Sequence, residues 1–583
     1  MKRMNIPRCF LLLFFYPVLM SKAVAAGPPV LFFRANADTV AKFEKFEISL
    51  DFKADFTNPF DPAQVDLQAS FTSPTGKVWQ IPGFYNYSSW TAVWMIRFSP
   101  DETGTWKYKV SIKDKTGVND SLNRVFYVRP SAHKGPVRIA ANKRFLQHAN
   151  GDSYFGVGLW YNDSYAAYNQ GRITPQGLDE LKSLGVNFIS TFITPLETHG
   201  SGLGRYDQSI CGRLDEVLQL CEEKDIQLSL NIWFHSYLSE TVWGGGNIRW
   251  NTNPYKQITA AKDFFRSEEA WRYQELLYRY MIARWAYSRS MLLWFVIDEV
   301  NGTDGWVSGD SLMAGQWGKK VHNYFKTHDP YGHLTTGTRS GGIGEFWHEG
   351  YQVFDLPNRE IYEAQGFPIV RSGRLDSADT HPLALSYMNY AGQLDRLWKG
   401  YEKPAIIGET GWDHTFYEPS MPGYQAMYHN ALWVTLAKGT AMTPFWWAHS
   451  GYLNDNIITN QVRNIARFSH EIPFAKLSRP RPVESITGGK NAYAISSDQL
   501  IYGWVVNPDS DVSGAQVSFS LTGTLAAKYK VRIYHTWRGA FIHESEVVPQ
   551  GGKLSFEIPV LKIQGGRGFY IGQDAAFIVS PVE

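Results

Sequence analysis

Between residues 150 and 450, short apolar runs alternate with stretches of helical periodicity, and this alternation limits the chain to very few folds. Residues 155–160 form a buried strand. Thr174 then caps a helix that has Pro175 at its first position. That helix runs through Leu178, Leu181 and Leu184, stops at Gly185, and is followed by a strand over 186–193. The next unit puts Leu214, Val217, Leu218 and Cys221 on one helical face before a strand over 226–233. Ser267 caps a further helix, with Glu268 and Glu269 at the positive end of its dipole, and leads to a strand over 291–297. Later strands are expected over 334–338, 377–381, 405–408 and 440–445. Eight strands alternating with helices fit an α/β chain folded as a (β/α)8 TIM barrel. The alternative is an open doubly wound sheet, which should carry a Gly-rich phosphate turn after its first strand; none is present.

The flanks read differently. The chain has 583 residues, more than one hydrophobic core serves. Residues 28–130 show short strands of period two separated by turns, as in 46–52, 93–98 and 106–110, and suggest an antiparallel β-sandwich. The Pro-rich stretch 478–482 reads as a stiff linker, and alternation returns at 500–506, 517–521 and 529–533 as a second sandwich. The expected boundaries are a signal peptide at 1–25, a sandwich at 28–130, a barrel at 137–477 and a sandwich at 483–583. The signal reading rests on Lys2, Arg3 and Arg8 before an apolar run too short to span a bilayer, then Ala23-Val24-Ala25. It implies a secreted or periplasmic protein free of the membrane after cleavage. Cys211 and Cys221 lie on one helix about 15 Å apart, out of disulfide reach. A net charge of +2 gives no basic field to gather nucleic acid. Aromatic residues reach 15%, which fits either large cores or surfaces that stack sugar rings.

In a barrel, reactive groups stand at the carboxyl ends of strands. Glu299 ends the fourth expected strand and Glu409 the seventh, and three βα units of about 37 residues fill the interval. Two carboxylates meeting across a barrel mouth can cleave a glycosidic bond, one holding a proton for the leaving oxygen and the other ionised. The alternative is two solvated loop acids. P-loop, HExxH and CxxC patterns are lacking, so no metal or organic cofactor is expected.

The stretch Trp250-Asn251-Thr252-Asn253-Pro254-Tyr255, then Phe264-Phe265, Ser267, Arg279-Tyr280, Ala283-Arg284-Trp285 and Trp294 to Glu299, resembles the clan A glycoside hydrolases, cellulase-like and β-galactosidase-like. Segment 80–110 resembles the sandwich that precedes such barrels in bacterial polysaccharide-degrading proteins, and the C-terminal segment resembles the small sandwich that often follows them. The resemblance implies a retaining hydrolase of a β-linked poly- or oligosaccharide, with Glu299 as acid/base and Glu409 as nucleophile. A non-catalytic carbohydrate-binding barrel and a transglycosidase are the alternatives. One departure stands out: Asp298 occupies the place where the family usually has Asn, which removes a donor and adds negative charge beside Glu299. Trp160, at the end of strand one, lines the pocket or packs in the core. His235 and His381, at the expected ends of strands three and six, are substrate or carboxylate partners or structural residues. Of Trp446 and Trp447 one should face the mouth, with Trp446 favoured as the sugar platform. Arg339, Arg359, Arg371 and Arg374 read as a solvated loop, with a substrate loop for an acidic glycan as the alternative. Gly309-Asp310-Ser311-Leu312 spells an esterase signature but sits too far from a chain start to act as one.

Overall fold

In the computed structural model the apolar runs of the middle region line up as a parallel sheet in sequence order. Its strands are Gly158–Trp160, Phe188–Phe192, Gln227–Phe234, Met291–Asp298, Leu334–Arg339, Leu356–Arg359 and Ile406–Ile407. The seventh strand continues past Gly408 and Glu409 as Thr410–Gly411, which pairs in parallel with Trp446–Trp447. A parallel bridge from Met442 to Gly156, with Phe445 N donating to Ile407 O at 2.8 Å, brings the last strand back to the first. The structure describes residues 27–87, 92–161, 163, 172–193, 195–197, 201–341, 346–362, 384–411, 420, 422–447, 452–522, 526–561 and 572–582.

Strand Met291–Asp298 is buried along its whole length because its two faces pack on the barrel interior and on the helices. The interior is filled by Trp160, Phe188, Leu293, Phe295, Leu334, Leu356, Ile406, Met442 and Phe445. Gly158 is needed for that packing, since a Cβ there would lie 2.1 Å from the Phe188 carbonyl oxygen. The helix starts follow their caps: Thr174 Oγ1 accepts from Gly177 N, Asp207 accepts from Ser209 N, and Ser267 accepts from Ala270 N. Cys211 and Cys221 are buried free thiols on helix Gln208–Lys224.

Two expectations are corrected here. The sixth strand is Leu356–Arg359, not 377–381, which lies outside the described residues. It is only four residues long and contains Pro357, so it lacks the apolar run that marks its neighbours. Part of the expected linker 478–482 is also sheet: Arg481–Pro482 pairs with Ser496 and Ile495.

Ahead of the barrel lie a four-stranded and a five-stranded sheet. In strand Val65–Thr72 every second residue is buried. Their apolar faces meet through rings: Phe71 stacks on Phe98 at 4.2 Å and Phe46 on Phe126 at 4.0 Å. The pairing is not wholly antiparallel, because Thr39–Ala41 runs parallel to Gly117–Arg129. After the barrel, a six-stranded and a three-stranded antiparallel sheet enclose Val517, Phe519, Phe556 and Phe577. Asp574 ties this region to the barrel by accepting from Trp504 Nε1 and contacting His429 Nε2 at 2.8 Å. Among the described residues no helix is long and apolar enough to cross a membrane.

Candidate active site

The fourth strand ends at Asp298, and the chain then turns sharply. Glu299 adopts the left-handed conformation, with φ 47° and ψ 54°. A residue with a Cβ pays about 1–2 kcal/mol for it. Its amide donates to Thr338 Oγ1 at 2.9 Å, which fixes the turn to the end of the fifth strand. His235 follows the third strand, and its Nδ1 lies 3.0 Å from Glu299 Oε2 and 3.6 Å from Asp298 Oδ2. Its Nε2 is 3.2 Å from Asn247 Oδ1, which orients the ring.

Glu409 interrupts the seventh strand, where Ile361 N donates to its backbone oxygen. The Tyr362 hydroxyl lies 2.8 Å from Glu409 Oε1 and 3.1 Å from Glu360 Oε2. Both residues follow the sixth strand. Asn358, Glu360 and Tyr362 are spaced by two, as residues on one face of an extended chain are. Glu360 is fully buried, and Asp298, Glu299 and Glu409 are close enough to act on its charge. Four carboxyl groups and an imidazole thus converge at one end of the barrel.

Their charges are interlocked. Burial opposes the imidazolium of His235, but Glu299 and Asp298 outweigh it and push the group from 6.5 up to about 10. Burial by itself raises Glu299, yet His235 holds it below its usual range. Asp298 is raised to about 6 by burial and by the Glu299 charge. Glu360 and Glu409 are pushed well above the carboxylate range by burial and by the neighbouring acids. A group raised in the folded state stabilises most below its unfolded value. The stability that His235 contributes should therefore be complete below about pH 6.5 and lost as pH rises through about 10. Denaturant unfolding of wild type and His235→Asn across that range should show the gap between them closing toward the alkaline end.

The predicted residues are not all placed as expected. Glu299, Glu409, Asp298 and His235 come together. Trp160 is buried in the barrel core, its ring stacked on Phe192 at 4.5 Å. Trp446 does not face the mouth: its Nε1 donates to Tyr424 and its ring meets Tyr428, against helix Pro422–Ala437. Trp447 is the one packed on the interior cluster. His381, Arg371 and Arg374 lie outside the described residues, and the sixth strand ends well before His381. Arg339 and Arg359 are not in a solvated loop; both are buried strand ends, and Arg359 donates to the carbonyls of Arg339 and Gly341. The Gly309–Leu312 signature sits inside helix Asp304–His328.

Sequence reasoning missed Glu360, Tyr362 and Trp243. The alternation Asn358, Glu360, Tyr362 was the available signal for the first two. Trp243 is 49% exposed with its ring 5.0 Å from His235, beside the carboxylates. Asn231 and Asn358, on the third and sixth strands, are buried with both amide atoms lacking partners among the described residues. His235, Asp298 and Glu299 bring ligand-capable atoms within 4.8 Å of one another, a closeness that the imidazolium–carboxylate ion pair itself explains. A cavity of about 520 Å³ lined by His148, Gln227 and Arg289 is at the opposite, amino-terminal end of the strands.

Residues 39–113 match a family described as Domain of unknown function (DUF5060). No curated protein matches the chain. Among solved structures, a Bacteroides vulgatus protein provisionally described as a glycoside hydrolase is 18% identical, with a TM-score of 0.60 over 94% of this chain and 100% of its own. A glycoside hydrolase family 5 protein from Bacteroides vulgatus is 15% identical, with a TM-score of 0.50 over 77% of this chain and 94% of its own. At these identities the likeness is one of fold.

Proposed function

We propose that the chain is an exported retaining glycoside hydrolase of clan A type that cleaves a β-linked poly- or oligosaccharide. In this reading residues 1–25 are the signal, 28–130 and 483–583 are sandwich domains, and 137–477 is the catalytic barrel. The observation that carries the reading is the pair of strand-end glutamates, each held by its own partner: Glu299 by His235, and Glu409 by the Tyr362 hydroxyl. Glu409 attacks the anomeric carbon. Glu299 protonates the leaving oxygen, then deprotonates the water that releases the glycosyl-enzyme. The proton for the first step is stored in the His235–Glu299 pair: His235 returns a proton to Glu299 as Glu299 gives one up. Trp243 supplies an exposed aromatic face beside the acid for a sugar ring.

One observation favours a reversed assignment. His235 holds the Glu299 carboxyl below its usual range, whereas burial and the neighbouring acids push Glu409 above it. Reaction with a panel of 2-fluoro-2-deoxy-β-glycosides carrying dinitrophenolate leaving groups separates the two readings. Such sugars leave the nucleophile esterified, and peptide mass mapping is expected to find the label on Glu409. A label on Glu299 reverses the roles, and hydrolysis of no glycoside, with no label on either residue, sinks the retaining reading.

A further inference from the structure

We propose that Glu360 is a third carboxyl of this centre, a positioning residue that keeps a proton so that Glu409, on the far side of the Tyr362 hydroxyl, stays an anion; this rests on the retaining reading above.

The geometry requires a proton somewhere on Glu360 or its neighbour. Ionised carboxylates only accept hydrogen bonds and a phenol has one proton, so the Tyr362 hydroxyl bonds both Glu409 and Glu360 only if one of the two carboxyls is protonated. Glu299 already has a cationic partner in His235, at 3.0 Å. Glu360 has none. It faces Asp298 and Glu299 from the fourth strand, Thr338 from the fifth, Glu409 from the seventh, Tyr362 beyond its own strand, and Tyr351 of helix His348–Val353. The guanidinium of the adjacent Arg359 donates to the Arg339 and Gly341 carbonyls. Burial and three neighbouring acids therefore favour the neutral form of Glu360.

Tyr362 decides which acid benefits. A phenol has one proton to donate, and its oxygen stands 2.8 Å from Glu409 but 3.1 Å from Glu360. With the proton on Glu360, the Glu360 O–H donates to the phenol oxygen and the phenol O–H donates to the Glu409 carboxylate. Moving both protons one step gives the mirror state: Glu360 carboxylate, phenol reversed, Glu409 neutral. The three groups exchange one proton equivalent with no change in total charge. Only the first state leaves Glu409 a nucleophile.

The test has two arms. In infrared difference spectra at neutral pH, wild type minus Glu360→Gln is expected to show the C=O stretch of a protonated carboxyl. This arm needs no turnover. In the second arm, kcat/KM is followed against pH on a dinitrophenyl β-glycoside, whose leaving group needs no acid. Wild type is expected to lose activity on the alkaline side as Glu360 ionises and competes for the Tyr362 proton. Glu360→Gln, a permanent neutral donor of the same size, should keep a plateau within about tenfold of wild type and lose that alkaline limb. Glu360→Leu, of similar bulk without a donor, should move the acid limb to higher pH, which a space-filling role does not predict. The proposal is overturned if the carboxyl stretch persists in Glu360→Gln or if its alkaline limb is unchanged. If wild type cleaves no aryl glycoside, the retaining reading fails, and the infrared arm still decides whether Glu360 carries the proton.

Discussion

Replacing Glu409 by Gln is expected to lower kcat/KM by on the order of 10⁴-fold, about 5.4 kcal/mol of transition-state stabilisation. Thermal unfolding should be little changed, because Glu409 is a half-buried acid raised by its neighbours, and a neutral amide relieves that repulsion. Replacing Glu299 by Gln should cost about 10²–10⁴-fold on substrates with poor leaving groups and far less on dinitrophenyl glycosides, which need no protonation. The alanine variants with added azide distinguish the roles by stereochemistry. In Glu409→Ala the azide enters the vacated space and attacks the substrate directly, giving an inverted glycosyl azide. In Glu299→Ala it attacks the glycosyl-enzyme and gives a retained one. Product NMR reads the two outcomes, and the opposite pattern would exchange the assignments of Glu299 and Glu409.

The parts of this site that could be read from the chain share a property: they follow long, wholly apolar strands. Glu299 closes an eight-residue strand with every position buried, so its place at a strand end is visible in the chain. Cap residues were equally readable, since Thr174 and Ser267 act through local bonds to their own helices. Glu360 was hidden by its strand. Leu356–Arg359 has a proline, and its inner face turns from Leu356 in the apolar interior to Asn358 and then Glu360, which line the centre. The pattern that marks a functional strand is therefore the one that hides it from a search for apolar runs. The left-handed turn at Glu299 was hidden for another reason. A glutamate does not favour that conformation, and the Thr338 hydroxyl, brought in by the fifth strand, helps to hold it together with the Gly302 amide bond to the Glu299 carbonyl. Trp446 shows the limit of reading direction at a strand end. Two consecutive Trp must point opposite ways, but which one turns inward depends on Tyr424 and Tyr428, more than 15 residues upstream.

The largest expected loss of stability lies away from the centre, at Asp215. This residue of helix Gln208–Lys224 joins two buried guanidinium groups from different regions of the chain. Arg97, on strand Ala92–Phe98, reaches it at 2.7 and 3.1 Å, and Arg284, on helix Glu268–Trp285, at 2.7 and 3.2 Å. Trp285 Nε1 donates to the same carboxylate at 2.8 Å. Arg97 is also paired with Glu47 at 2.8 Å, but Arg284 has no other carboxylate partner among the described residues. Burial tends to raise Asp215, and Arg97 and Arg284 override it and hold the carboxyl well below the usual carboxylate range. Asp215→Asn keeps the shape and removes the charge, leaving Arg97 with Glu47 alone and Arg284 with no carboxylate. Removing one partner of a buried ion pair costs about 3–5 kcal/mol, so the denaturant midpoint should fall markedly. A carboxyl lowered in the folded state contributes stability above its unfolded value and loses it as pH falls through the folded one. The deficit of Asp215→Asn should accordingly be full at neutral pH and shrink once the pH drops below about 3.8. A constant deficit down to pH 2 would mean that shape and hydrogen bonding, not charge, join the leading sheets to the barrel.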